Sequence, residues 1–408
     1  MKILVVDFWS DGNLGDAVMQ KEIIEQCGKV SKDVHILSCF GKNQFQLNAF
    51  NESLNYDYLT WHPSYFSTYI KLDFYSEWAF GSRTTRLMKT LVGLLVAELK
   101  LKLFGLFKLK FLLGKHRFLM LANYDAVVFN GRNYRDFGGK LKNYINNRPL
   151  TLHQELIFKT MQCVPIINAG FSAWNLDSSV SKFIDGNWSR IDAHIARESF
   201  TYSYLMNEKS ELSKKLNIYQ KKDLSFDYLS EKVNREERKE NIIAFSITRI
   251  GEIEPYLNML NEVLSHFITL GYRAVYVEQV YLPHENVDDL LPKIYVPFTE
   301  CRSKKIDTIL KCYSQCAYVL SSRMHGSIMA LSQGCHVASL AYDNGAKWSI
   351  LTDELIDYPI WSPAIVSKQE IVNYFEAQKI ESHTNQFIEM LMRTNEKYVE
   401  KFLHNINS

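Results

Sequence analysis

Neither sign of charge is in excess. The sequence sets 47 Lys and Arg against 45 Asp and Glu, a formal net charge of +2. A partner held by bulk electrostatics is therefore not indicated, and no nucleic acid is expected. Paired cysteine motifs are missing as well. There are seven cysteines, an odd number, and no Cys-x-x-Cys. Cys312 and Cys316 lie four apart, without a second pair to complete a zinc site. Free thiols in a reducing compartment are the expectation. The opening residues run straight into an apolar strand pattern, Ile3 to Phe8, without the apolar core and small-residue cleavage site of a secretory leader. A cytoplasmic location follows as the expectation. Nor is there an unbroken run of about 20 apolar residues, the length needed to span a bilayer. The nearest approach, residues 90–120, is interrupted by Glu98, Lys100, Lys102, Lys108 and Lys110. Such a segment either packs over the N-terminal core or lies on an anionic membrane surface, a peripheral contact at the inner face. Short-period repeats and the Gly-x-Gly-x-x-Gly fingerprint are absent too, so NAD is not indicated.

What remains is an ordinary folded chain: 47% hydrophobic and 23% charged residues argue against long disorder. At 408 residues it is too long for one comfortable core, so two domains are expected. Apolar strand runs alternate with amphipathic helices throughout. This predicts an α/β protein with two Rossmann-like parallel-sheet domains facing across a cleft. The first covers 1–215. A charge-dense stretch at 216–240 reads as a linker, and 241–384 forms the second domain. A final helix from 385 to 408 could cross back to the first. Aromatic content is high at 13%, and residues 56 to 80 are crowded with rings, suited to an acceptor wall or to a packed insertion.

The candidate site residues lie where apolar strand runs give way to polar loops. Ala317 to Ser322 reads as a buried strand and Gly326 to Gln333 as a helix stopped by Gly334, with Arg323-Met-His325 between them. A loop leaving a strand's carboxyl end and opening a helix is where α/β sheets bind ligands, because the first helical amides are unpaired and attract anions. The next strand ends in Asp343-Asn-Gly-Ala-Lys347. Near the N-terminus, Gly12-Asn13-Leu-Gly15-Asp16 joins a strand to a helix in the same way. Asn130-Gly-Arg132-Asn133 with Asp136, Arg197 after a strand from His194, and Arg249 after a strand from Ile242 complete the pattern. Arginines at separate strand ends in both halves, with one histidine, describe a cleft for a small, multiply charged anion.

Ser-Ser-Arg323-Met-His325-Gly, the following strand, and Tyr342-Asp-Asn-Gly-Ala-Lys347 resemble the C-terminal signature of the polysaccharide pyruvyl transferase family, and Asn13-x-Gly15-Asp16 resembles its N-terminal motif. The family's run of glycines is replaced here by Asn130-Gly-Arg132. The resemblance implies a glycosyltransferase B-like fold. It also implies transfer of pyruvate from phosphoenolpyruvate to two hydroxyls of one sugar, often O4 and O6, as a cyclic ketal with release of phosphate. The acceptor would belong to a cell-surface polysaccharide or its lipid-linked precursor. On that reading Arg323, Arg197 and Arg249 grip the donor's phosphate and carboxylate, and Lys347 helps neutralise departing phosphate. His325 moves a proton. Asn13, Asp16, Arg132, Asn133 and Asp136 hold the acceptor. Phosphoenolpyruvate is a co-substrate; no cofactor and no metal are required. The same architecture would also serve a glycosyltransferase using a nucleotide sugar, or a non-catalytic glycan-binding or scaffold protein.

Overall fold

The computed structural model describes residues 1–8, 12–38, 59–62, 83–135, 140–161, 163–176, 184, 186–234, 239–249, 253–281, 285–341 and 346–407. Asp136, Tyr342 to Gly345, and the ring-rich stretch 56–80 apart from residues 59–62 lie outside these. The opening run Ile3–Phe8 (β1) is buried at every position, as a parallel strand covered on both faces must be. After it come Leu14–Val30 (α1), Val34–Ser38 (β2), Leu59–His62 (β3), Arg83–Phe107 (α2), Ala126–Asn130 (β4), Asn133–Arg135 (β5) and Lys140–Thr160 (α3). Ile166–Trp174 (β6), Ala193–Ala196 (β7), Ser199–Glu208 (α4), Ile218–Gln220 (β8) and Leu224–Ser230 (α5) complete the first lobe. Its sheet runs β3-β2-β1-β4-β6-β7-β8, with β5 attached to β6, and each pairing is parallel.

The second lobe contains Glu240–Phe245 (β9), Ile253–Thr269 (α6), Arg273–Val277 (β10), Phe298–Cys301 (β11), Ile306–Gln315 (α7), Cys316–Ser321 (β12) and Met324–Ser332 (α8). His336–Leu340 (β13), Ile360–Trp361 (β14), Lys368–Glu376 (α9), Gln378–Arg393 (α10) and Tyr398–Asn407 (α11) follow. Its parallel sheet runs β11-β10-β9-β12-β13-β14, which makes β12 an interior strand and sets Arg323 and His325 just past its carboxyl end. The fold class is the one the alternating pattern predicts.

Two differences from what the sequence predicts have local causes. Residues 216–240 hold β8 and α5, because Leu224, Phe226, Tyr228 and Leu229 are buried despite their charged surroundings. The expected single helix from 385 is two helices, α10 and α11. The chain breaks at Thr394, whose backbone is extended, and at Lys397, where φ is 39°. Asp227 stabilises the break by accepting the N–H groups of Glu396 at 2.9 Å and Lys397 at 3.0 Å. That turn aims α11 back onto α1. One hydrophobic cluster then runs through both lobes, from Leu14 and Val18 through Phe226 and Phe387 to Met324, Ile328 and Tyr398.

Candidate active site

The ends of β1 and β12 launch α1 and α8, and these two helix starts meet between the sheets. Asn13 caps α1, its Oδ1 accepting the Gly15 N–H at 3.1 Å. The same loop pairs with the second lobe. Leu14 N–H donates to Gln279 O at 3.0 Å and Tyr281 N–H to Gly12 O at 2.6 Å, with Asn13 opposite Val280 in an antiparallel bridge. The approach leaves no room for side chains. A Cβ on Gly15 would stand 2.3 Å from His325 Nδ1, and one on Gly326 would stand 2.2 Å from Gln279 Nε2. Glycine at position 15 is therefore a condition of the lobes meeting, and Gly326 leaves the space that the Gln279 amide of its own lobe fills.

His325 is 15% exposed, and its Nε2 lies 3.8 Å from Asp223 Oδ1, an ion-pair separation rather than a hydrogen bond. Asp223 is the buried cap of α5. It accepts the Ser225 N–H at 2.8 Å, the Ser225 hydroxyl at 2.6 Å and Arg197 Nη1 at 3.2 Å. Burial pushes its carboxyl up, but His325, Arg197 and Ser225 outweigh that and hold it well below the usual carboxylate range. Arg197 is buried and held along its whole fork. Nε donates to Ser172 Oγ at 2.7 Å, Nη2 to Asn133 Oδ1 at 2.8 Å, and Nη1 also meets Met19 Sδ at 3.2 Å. Beside it, burial pushes Glu198 up to about 7 against the opposing influence of Arg197, Thr201 and Ser172.

Asp16, half-buried in the first turn of α1, is raised by burial. The charges of His325, Arg197 and Lys347 oppose the rise, and Glu285 reinforces it. Those four groups and Asp16 thus share one electrostatic neighbourhood. Glu285 in turn accepts Arg323 Nη2 at 2.9 Å. Arg197 also walls a cavity of about 240 Å³ with Lys221, Lys222, Ile350, Asp353 and Glu354.

Of the residues singled out in the sequence, Asn13, Asp16, Asn133, Arg197, His325 and Lys347 are therefore gathered, and Arg323 joins them through Glu285. Two stand apart. Arg249 is turned away to the loop 286–289. It is exposed, ion-paired with Asp289, and donates to Asn286 O at 2.9 Å. A polar residue after a strand turns toward whichever neighbouring loop neutralises it, and here that is 286–289. Arg132 is not on an open rim. It is buried, with Nη2 2.9 Å from Asp7 O and 3.6 Å from Asp7 Oδ1, the carboxylate that also holds His153 at 3.1 Å. Asp223, Glu285 and Gln279 escaped the sequence reading. Asp223 two positions before Ser225, at the head of an apolar run, is legible as a helix cap, but nothing local marks it as the partner of His325. Chemically, the assembly combines fixed cations for an anion, two carboxyls shifted in opposite directions and an imidazole able to carry a proton.

A family model for polysaccharide pyruvyl transferase matches residues 13–344, from the cap of α1 to beyond β13. No curated protein matches the chain by sequence. Among solved structures, the UDP-GlcNAc 2-epimerase of Methanocaldococcus jannaschii is similar over 100% of this chain and 99% of its own, at TM-score 0.52 and 10% identity. A glycosyltransferase from Rickettsia africae ESF-5 is similar over 99% of each chain, at TM-score 0.50 and 12% identity. At such identity the likeness is one of fold, two parallel-sheet lobes in the glycosyltransferase B arrangement.

Proposed function

This chain belongs to the polysaccharide pyruvyl transferase family and is a transferase, and from that premise we propose that it moves pyruvate from phosphoenolpyruvate onto two hydroxyls of one sugar, releasing phosphate. The observation that carries the reading is the convergence of His325, Arg197 and Lys347 on Asp16, where two helix starts meet at Gly15 and His325. Helix starts and guanidinium forks suit a compact donor bearing phosphate and carboxylate. Arg323 takes the donor by exchanging its present carboxylate partner, Glu285, for one on the substrate. Arg197, already fully engaged, acts by fixing Asp223 and by its charge.

The reaction needs two kinds of proton movement. A proton must be added to the enol CH2 so that C2 becomes electrophilic, and each sugar hydroxyl must lose its proton as its oxygen bonds to C2. The C2–O bond to phosphate breaks between the two additions. One hydroxyl proton is balanced by the new methyl group and the other leaves with phosphate. His325 serves as the proton carrier, and Asp16, whose carboxyl is raised, is the second group within electrostatic reach. Lys347 neutralises departing phosphate. Asn13 and Asn133 hold the acceptor side, from a sugar of a polysaccharide precursor, often through O4 and O6.

The test is incubation with phosphoenolpyruvate and a panel of galactosides, glucosides and N-acetylhexosaminides, read by the mass of an added pyruvyl group. His325→Ala and Arg323→Ala should each remove transfer, by about 10²-fold or more for loss of an acid–base group, while the chain stays folded. Near-normal phosphate release by His325→Ala with a productive acceptor would remove the histidine from the mechanism.

A further inference from the structure

Helix α2 is apolar on two opposite faces. Leu94, Ala97, Leu101 and Phe104 recur at helical spacing and are buried toward α3. On the other side Val92, Leu95, Val96, Leu99 and Leu106 are exposed, Leu106 at 75%. The segment that packs back on α2 extends this face with Phe107, Leu109 and Phe111, and Leu121 follows. Ten of the nineteen exposed large hydrophobic residues among the described ones fall between Met88 and Leu121. A helix apolar all round is normally buried, and an exposed patch of this kind marks an interaction surface.

The charges around it say what covers it. Residues 99–124 contain no aspartate or glutamate. Lys102, Lys108, Lys110 and Arg117 are exposed there, and Lys100 is half-buried. Glu98, the single acid of α2, is engaged by Arg148. A second copy docking through the same patch would set lysines against lysines, since an isologous interface brings like residues together. An acyl-chain surface with anionic headgroups satisfies both features at once. No helix among the described residues is long and apolar enough to cross a membrane, so the segment would lie on the surface rather than span it.

We propose that the outer face of α2, with residues 107–121, docks the first lobe onto an anionic lipid bilayer, apolar side chains in the interface and lysines at the headgroups. The proposal stands without the pyruvyl-transfer reading. If that reading also holds, a lipid-linked acceptor would be met at the surface where it resides.

Flotation of the full chain with vesicles tests it. The protein should bind vesicles of phosphatidylcholine with phosphatidylglycerol, bind phosphatidylcholine alone far less, and be released by high salt. Replacing Lys102, Lys108 and Lys110 by Gln should weaken binding about fivefold per charge. Leu95→Glu/Leu99→Glu/Leu106→Glu should abolish it without lowering the melting temperature, since these side chains are solvent-facing, and with phosphate release on a soluble acceptor intact. Loss of that release in wild type and variant alike would fall on the transfer reading and leave docking standing. Absence of wild-type binding to the anionic vesicles, or undiminished binding by the triple leucine variant, overturns the proposal. So does a wild-type dimer that the leucine variant converts to monomer without any vesicle binding, which would assign the face to a second copy.

Discussion

Asp16 and Asp223 both lie within electrostatic reach of His325, and their surroundings drive them in opposite directions. Burial raises Asp16 above its ordinary 3.8 more than nearby cations lower it. The folded state therefore holds that proton more tightly than the unfolded chain. The stability this contributes is complete below the unfolded value and is lost as pH rises through the folded one. Ionised Asp16 thus works against folding at neutral pH, and Asp16→Asn should melt higher than wild type at pH 7. Asp223 is depressed, so its contribution is complete above the unfolded value and is lost as pH falls. Asp223→Asn should melt lower at pH 7. Breaking its buried contact with Arg197 costs about 3–5 kcal/mol. Thermal melts of both variants decide the matter, and a fall in both would show that Asp16 is not penalised by burial. Asp16 was legible as part of Asn13-x-Gly15-Asp16 because a helix start draws an acid locally. Asp223 was legible only as a helix cap, because its partners Arg197 and His325 lie well away in sequence.

The elements differ in how far their neighbours determine them. Strands β1 and β4 are largely apolar and buried at every position, and burial on both faces explains both their composition and their position inside a sheet. Helix α11 depends on another element. Gln26 Oε1 on α1 accepts the N–H groups of Val399 at 3.0 Å and Glu400 at 3.1 Å, capping α11 from outside the helix. Lys397 Nζ meets Glu22 at 2.9 Å next to it, and burial pushes Glu22 up to about 7 despite that contact. Gln26→Ala leaves one buried and one part-buried donor without an acceptor and should destabilise the chain by about 1–3 kcal/mol. Urea unfolding would measure it, with hydrogen exchange at Val399 and Glu400 rising first. An unchanged midpoint would mean that α11 is held by its apolar face alone. The cap explains why one expected terminal helix is two: the break at 394–397 lets the second half turn onto α1.

Across the whole molecule, the lobes meet through backbone pairing at Leu14 and Gln279, through Asp353 accepting Ser199 N–H at 2.7 Å and its hydroxyl at 2.5 Å, and through a shared apolar cluster. Ser199 opens α4 and is bound there by the opposite lobe. A donor bridging Arg323 and the Asp16 neighbourhood would add to this joint. Because it binds the folded state alone, it should stabilise the chain by about 2.7 kcal/mol at a hundredfold excess over Kd. Thermal shift should therefore respond to phosphoenolpyruvate and not to UDP-, GDP- or CMP-sugars. The reverse response would transfer the site to a nucleotide-sugar enzyme of the same fold.

The sequence by itself determined the βαβ alternation, the interior strands and the Arg323-Met-His325 and Asn13-x-Gly15-Asp16 loops. Each depends on residues adjacent in the chain: the period of apolar positions, the cap, the polar turn. Only the tertiary structure decided which of those loops meet. It brought Gly15 against His325 and Asp223 beside them, buried Arg132 on Asp7, and turned Arg249 toward Asp289. These choices come from packing and charge neutralisation between segments well separated along the chain, and no local pattern encodes such a contact.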